Sequence, residues 1–309
     1  MSEIKVTVPA TSANLGPGFD CLGTALTLYN QFTFSSIEPA EVETEMKIAV
    51  TGVEAQKLST NKSNLLYQSF TKLYQYLGKK PPHVQIEIHL GFPLARGLGS
   101  SATAIVGGLV GANQLAGNPL STQELIKLAI AIEGHPDNVV PALLGNCQLS
   151  VGQDENWQFC QIDWHENIIP VVAIPDFELS TEEARSVLPD KVSRSEAIYN
   201  VSRLGLLLQA LQNDRGDWLQ IAMEDKLHQP YRQTLIKGYE VVKSAAISSG
   251  AYGMVISGAG PTLLALTNLT QAEVVTHSMK EAWKTQGVEA KVISLRVDTQ
   301  GTKTLQIQA

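Results

Sequence analysis

Two glycines, two serines and a threonine fall within seven residues of PLARGLGSSATA, Pro93 to Ala104, at the head of an apolar segment of helical length, IVGGLVGAN. A helix N-terminus offers backbone N–H groups without partners and the positive end of the helix dipole, so it attracts anions. Gly97 and Gly99 would let the backbone approach a phosphate, and Ser100 and Ser101 add hydroxyl donors or a metal ligand. The plainer alternative is a strand–turn–helix connection with glycine and serine as cap residues. A P-loop needs GxxxxGK[ST], which the chain lacks, and after Gly97-Leu98-Gly99 the third glycine of a dinucleotide fingerprint is missing. What remains is a loop that cradles phosphate by amides and hydroxyls. Gly107, Gly108 and Gly111 then sit inside the helix, each costing about 1 kcal/mol against alanine. Close packing on a neighbour is the better reason for them.

Composition narrows the class. The chain has 309 residues, enough for one large or two medium domains, with 44% apolar and 17% charged residues. No segment approaches the ~18 uninterrupted apolar residues of a membrane helix, so no membrane partner is expected. The start, MSEIKVTVPA, lacks the basic and apolar regions of a secretory signal and reads as a strand. Three cysteines (Cys21, Cys147, Cys160) without a CxxC argue against a disulfide framework or zinc site and suggest a reducing, cytoplasmic setting. A net charge of −7 without a basic cluster argues against nucleic acid as a partner.

The elements that must position the glycine loop alternate between strand and helix. Ile4 to Val8 and Gln31–Ser35 alternate as strands, and Asn64 to Leu77 carries apolar residues at helical spacing and stops at Gly78. Val84–Ile88 is a strand leading into the loop, with helices at about 101–116 and 122–132. Ile169–Ile174 opens a second half with helical stretches at about 194–212 and 233–249. MVISG, a glycine-proline turn, TLLALT, a helix and a strand follow. The polar stretch around 152–168 is the expected boundary, giving domains 1–160 and 161–309.

VPATSANLGPGFDCLGTAL (Val8 to Leu26), PLARGLGSSATA and ISGAGPTLLAL (Ile256 to Leu266) together resemble the three signature motifs of the GHMP kinases. Within that superfamily the N-terminal form and EGHPDNVVPALLG (Glu133 to Gly145) look like the homoserine kinases. The resemblance covers nearly the whole chain in the expected order. It implies an α+β, two-domain fold: a ribosomal protein S5 domain 2-like N-terminal domain and a ferredoxin-like C-terminal domain, with ATP and substrate between them. The implied reaction phosphorylates L-homoserine to O-phospho-L-homoserine on the way to threonine. Its rivals are a mevalonate- or shikimate-type kinase and a non-catalytic ligand- or RNA-binding protein on the same fold.

On that template Pro93, Leu94, Ala95, Arg96, Gly97, Leu98, Gly99, Ser100, Ser101, Ala102 and Thr103 form the ATP loop, with Ser101 near Mg2+ and Glu133 as the metal-associated carboxylate. Without the template, Glu133 is a solvated glutamate at a helix end. Asp20 matches the partner of the substrate ammonium and Asn14 a neighbouring contact; alternatively both are turn residues bonded to their own backbone. Arg185 and Arg232 suit the substrate carboxylate, because a guanidinium donates two parallel hydrogen bonds. His135, Asn138 and Gly260 match residues around the substrate. Asp137 is a candidate base. In the alternative the γ-phosphate takes the proton and Asn138 orients the hydroxyl, since phosphoryl transfer rests mostly on positioning and charge stabilisation. A homodimer is left open.

Overall fold

The computed structural model describes residues 3–37, 45–153 and 156–307. In chain order the first part runs β1 (Glu3–Ala13), β2 (Leu22–Ser36), β3 (Met46–Gly52), α1 (Leu65–Tyr76), β4 (Val84–Leu90), α2 (Ser100–Leu115), α3 (Thr122–Glu133), α4 (Pro136–Leu144), β5 (Cys147–Gln153) and β6 (Asn156–Ile162). The second part runs β7 (Ile169–Pro175), α5 (Thr181–Ser186), α6 (Arg194–Gln212), α7 (Gly216–Ala222), α8 (Gln229–Arg232), α9 (Tyr239–Ser248), β8 (Gly253–Ile256), β9 (Leu263–Thr267), α10 (Ala272–Thr285), β10 (Ala290–Ser294) and β11 (Lys303–Ile307).

Among the described residues the strands form two sheets. One has seven strands, with the path β11-β1-β2-β4-β3 and the β5–β6 hairpin joined to β2; the other has the order β10-β7-β9-β8. Numbered within itself, the second sheet reads 4-1-3-2 with helices after its first and third strands, which is the ferredoxin-like pattern expected. The fold is thus α+β, as expected. Sequence order and sheet membership diverge at the end, because β11 returns to pair antiparallel with β1. Within the stretch 152–168, where the boundary was expected, β6 pairs with β5, and the chain then crosses to the second sheet between Ile162 and Ile169. Residues 154 and 155, within that stretch, lie outside the described residues.

Local signals explain several boundaries. Asn64 caps α1 by accepting from the Leu66 and Tyr67 amides, and Gly78 follows the helix at φ 66°. The stretch expected as one helix over 233–249 is split: a 3₁₀ turn at Gln233–Leu235 precedes Gly238, whose φ of 78° starts α9 anew. The glycines of α2 do mark close packing. A β-carbon on Gly107 would lie 2.4 Å from the Phe32 ring, on Gly108 2.3 Å from the Leu66 carbonyl, and on Gly111 2.3 Å from the Phe34 ring. These glycines let α2 lie directly on β2 and α1, a gain that offsets their poor helix propensity.

Each sheet has its own core, and a third cluster joins them: Leu15, Leu22 and Leu98 from the first part pack with Val172, Leu211 and Val255 from the second. That shared core fixes the cleft between the two sheets.

Candidate active site

The loop between β4 and α2 forms one wall of a cleft of about 400 Å³. Gly97 and Gly99 take φ 75° and 68°, left-handed values that glycine adopts without steric cost. Gly99 is the N-cap of α2 and no side chain caps the helix, so its first N–H groups are open to an anion at the positive end of 16 residues of helix. Besides the approach of a phosphate expected from the sequence, these glycines meet a packing requirement. A β-carbon on Gly97 would lie 2.2 Å from the Ser257 carbonyl, and one on Gly99 2.0 Å from Thr11 Oγ1. The loop is pressed between β1 and the Ser257–Gly260 turn, with the Ser257 hydroxyl donating to the Gly97 carbonyl at 2.6 Å.

Of the expected ATP-loop residues, Leu94, Ala95, Gly97, Gly99, Ser100, Ser101 and Thr103 line the cleft; Pro93, Arg96, Leu98 and Ala102 do not. Arg96 turns inward and is 2% exposed. Its guanidinium donates to the Pro175, Leu94 and Asp176 carbonyls and to Glu54, tying the loop to the second sheet. Thr103 is buried, its hydroxyl donating to the Ser100 carbonyl and accepting from Asn30. Any contact from Arg96, Leu98 or Ala102 to a nucleotide is therefore left to the backbone.

Across the loop, Glu133 ends α3 and Gly134 stops the helix at φ 89°. Ser101 Oγ donates to Glu133 Oε2 at 2.7 Å. Burial pushes the Glu133 carboxyl above the usual carboxylate range, against the opposing Ser101 hydrogen bond. Among the described residues no group of three or more His, Cys, Asp or Glu forms a metal cage. A hydroxyl beside a carboxylate is nonetheless an all-oxygen pair, which fits a hard dication that keeps water and phosphate as its other ligands.

α4 places the next group. His135 precedes Pro136 at the first helical position, and its Nδ1 donates to Asp137 Oδ1 at 2.7 Å. Burial disfavours charge on the His135 ring, but the hydrogen bond and charge of Asp137 prevail and raise its pKa. Asn138 Nδ2 donates to the same Asp137 oxygen at 3.3 Å, and Asn138 Oδ1 accepts from Thr11 at 2.8 Å.

The β1–β2 connection and the helices α5 and α8 supply the charged end. Asn14 and Asp20 have φ 72° and 57°. Asn14 is a brace as well as a lining residue: its Oδ1 accepts from the Asp20 amide and its Nδ2 donates to the Gly258 carbonyl. Asp20 holds Arg185 in a two-pronged ion pair of 2.8 and 3.1 Å. The sequence expected these two to meet opposite ends of one zwitterion; in the structure they meet each other. Arg232 is buried, donating to the Ala184 and Gly258 carbonyls and packing 5.1 Å from the Phe19 ring. Burial, then the charge of Arg185, lowers its pKa to about 10. Buried His228 braces it, with Nε2 donating to the Gly16 carbonyl at 2.9 Å and Nδ1 lying 3.4 Å from Arg232 Nη1.

Asn14, Asp20, Glu133, His135, Asp137, Asn138, Arg185, Arg232 and Gly260 all line the one cleft. Sequence reading missed two kinds of contributor. Thr11 and His228 act through long-range contacts that no local pattern marks. The apolar wall of Leu58, Leu65 and Leu90 is built from unremarkable core-type residues.

Comparison with known proteins agrees with this geometry. Residues 64–146 match the GHMP kinases N-terminal domain and residues 207–285 the GHMP kinases C-terminal domain. The homoserine kinase of Crocosphaera subtropica is 65% identical, covering 97% of both chains. That of Trichodesmium erythraeum is 62% identical, covering 97% of this chain and 98% of that one. The crystal structure of homoserine kinase from Cytophaga hutchinsonii superposes with a TM-score of 0.88 at 29% identity, covering 98% of this chain and 97% of that one. On these grounds the chain belongs to the homoserine kinase family of the GHMP kinases.

Proposed function

We propose that this cleft transfers the γ-phosphoryl group of ATP to the hydroxyl of L-homoserine, giving O-phospho-L-homoserine and ADP, a step toward threonine. The observation that carries the reading is one cleft with two unlike ends: an uncapped helix start beside a carboxylate, and an acid with two arginines some residues away in space. The helix start and loop amides suit a triphosphate, and the wall of Leu58, Leu65 and Leu90 suits the face of a planar base. Asp20 receives the substrate ammonium, and Arg185 and Arg232 its carboxylate. A zwitterion entering between Asp20 and Arg185 exchanges their ion pair for two new ones. Because the pair is over a third exposed, opening it costs only about 0–1 kcal/mol.

Asn138 faces the acceptor hydroxyl and orients it toward the phosphate. Asp137 already accepts from His135 and Asn138 on Oδ1, so proton removal at its other oxygen and direct passage to the γ-phosphate are both compatible with the geometry. Ser101 and Glu133 would hold Mg2+, which when bound offsets negative charge on the phosphate oxygens. In this reading residues 1–160 are the ATP-binding domain and 161–309 its partner, with β11 crossing back. The substrate is a small soluble amino acid, so the reaction calls for neither nucleic acid nor membrane, and a cytoplasmic setting suits it.

A coupled assay of ADP release tests the reading. L-homoserine should be the preferred acceptor, and analogues lacking its carboxylate or its ammonium should be turned over poorly. Faster phosphorylation of mevalonate or shikimate would overturn the substrate assignment.

A further inference from the structure

Thr11 lies in β1 with no exposed surface, two residues beyond the register shift at Pro9/Ala10. Its backbone and side chain touch different halves of the site. The Thr11 amide donates to the Leu98 carbonyl at 3.0 Å, pinning the phosphate loop to the strand. Its hydroxyl donates to Asn138 Oδ1 at 2.8 Å. The next residue, Ser12, faces the other way along the pleat, 2.9 Å from the Ser257 hydroxyl. Gly99 completes the arrangement: the place where its β-carbon would stand is 2.0 Å from Thr11 Oγ1 and 3.2 Å from Asn138 Oδ1. Phosphate loop, Thr11 and Asn138 are thus in direct contact.

An asparagine amide has a donor end and an acceptor end of nearly equal shape, so only its hydrogen bonds decide which faces a ligand. A hydroxyl that donates to Oδ1 ties the acceptor end of Asn138 to β1. The donor end is left for the cleft and Asp137, to which Nδ2 already donates. A flipped amide would set its carbonyl against the Asp137 carboxylate, so Asp137 selects the orientation and the Thr11 hydroxyl, donating to Oδ1, holds it in place.

We propose that Thr11 is a positioning residue for phosphoryl transfer, its hydroxyl holding the Asn138 amide, in the orientation Asp137 selects, where it meets the acceptor hydroxyl. This rests on the reading that Asn138 orients that hydroxyl. With Nδ2 donating to it, the acceptor oxygen keeps a lone pair for phosphorus, and its proton leaves toward Asp137 or the γ-phosphate. The contact with Gly99 keeps that orientation in step with the loop that holds the phosphate.

Steady-state kinetics with L-homoserine on Thr11→Val, Thr11→Ser and Asn138→Ala, and on the Thr11→Val/Asn138→Ala double variant, tests it. Valine keeps the volume and removes the hydroxyl; serine keeps the hydroxyl. Thr11→Val should lower kcat roughly 10- to 100-fold with KM for ATP little changed, as expected of a misplaced reacting group. Thr11→Ser should restore kcat to within about threefold of wild type, and in the Asn138→Ala background Thr11→Val should change kcat by less than about threefold. If Thr11→Val does not fold, Thr11→Ala takes its place in the same cycle. A folded hydroxyl-free variant with wild-type kcat overturns the proposal, as does an equal loss with and without Asn138. Wild-type enzyme that leaves homoserine unphosphorylated refutes the underlying function instead, and wild-type kcat in Asn138→Ala refutes the role of Asn138 and with it that of Thr11.

Discussion

The end of the cleft proposed to take phosphate comes almost entirely from one run of chain, Leu94 to Ser101, completed by Glu133. The acceptor end draws Asn14 and Asp20 from the β1–β2 connection, His135 to Asn138 from α4, Arg185 from α5 and Arg232 from α8. The first end works with backbone amides and a helix dipole, held by packing so tight that two glycine positions have no room for a β-carbon. The second is lined by side-chain charge held by long-range contacts, including the Asp20–Arg185 pair, which in the proposed reading opens when a ligand arrives. The contrast suits the ligands. A triphosphate presents many equivalent oxygens, which fixed amides match well. An amino acid presents one cation and one anion, and only placed charges tell its two ends apart.

The sharpest break in this comparison is Gly99→Val. If the phosphate loop stood alone, a β-carbon there would affect nucleotide only. Because it would meet Thr11 and Asn138, and because valine at φ 68° is strained, the substitution should abolish measurable turnover. By calorimetry it should weaken homoserine binding as well as ATP binding. Unchanged homoserine affinity in a folded variant would show the two ends to be independent.

Glu133→Gln acts on the phosphate end alone. It should lower kcat by roughly 100-fold, about 2.7 kcal/mol, by removing charge beside the transferring group. Its effect on stability has the opposite sign. Burial raises the folded-state pKa of Glu133 above its ordinary 4.5, so the protonated form is the one folding favours. That contribution is present below pH 4.5 and is lost as pH rises through the folded value. The melting temperature of Glu133→Gln relative to wild type should therefore increase slightly from pH 4.5 upward. A variant that melts lower than wild type throughout that range would make Glu133 a structural residue.

The same contrast explains what the sequence made readable. The glycine loop was legible as a turn opening a helix because its residues are contiguous and its glycines and serines carry a local backbone requirement; the tight neighbours of Gly97 and Gly99, Ser257 and Thr11, lie far away in the chain and left no mark. Both halves of the fold were legible through motif order, and α1 and α2 through periodicity. The β5–β6 hairpin was hidden because its largely exposed, polar stretch read only as a boundary, and the return of β11 to β1 is a long-range pairing with no local mark. Arg185 and Arg232 were identifiable only by motif context. That one is half-buried and paired while the other is buried and braced by His228 depends on packing that spacing cannot express.

The most direct measurement is a crystal structure of the chain with L-homoserine and a nonhydrolysable ATP analogue. The account predicts the triphosphate against the N-terminus of α2, the Asp20–Arg185 pair opened around the zwitterion, the substrate carboxylate on Arg185 and Arg232, and the acceptor hydroxyl beside Asn138 Nδ2. Homoserine bound with its carboxylate toward Asn138, or outside the cleft while Asp20 and Arg185 stay paired, would contradict it.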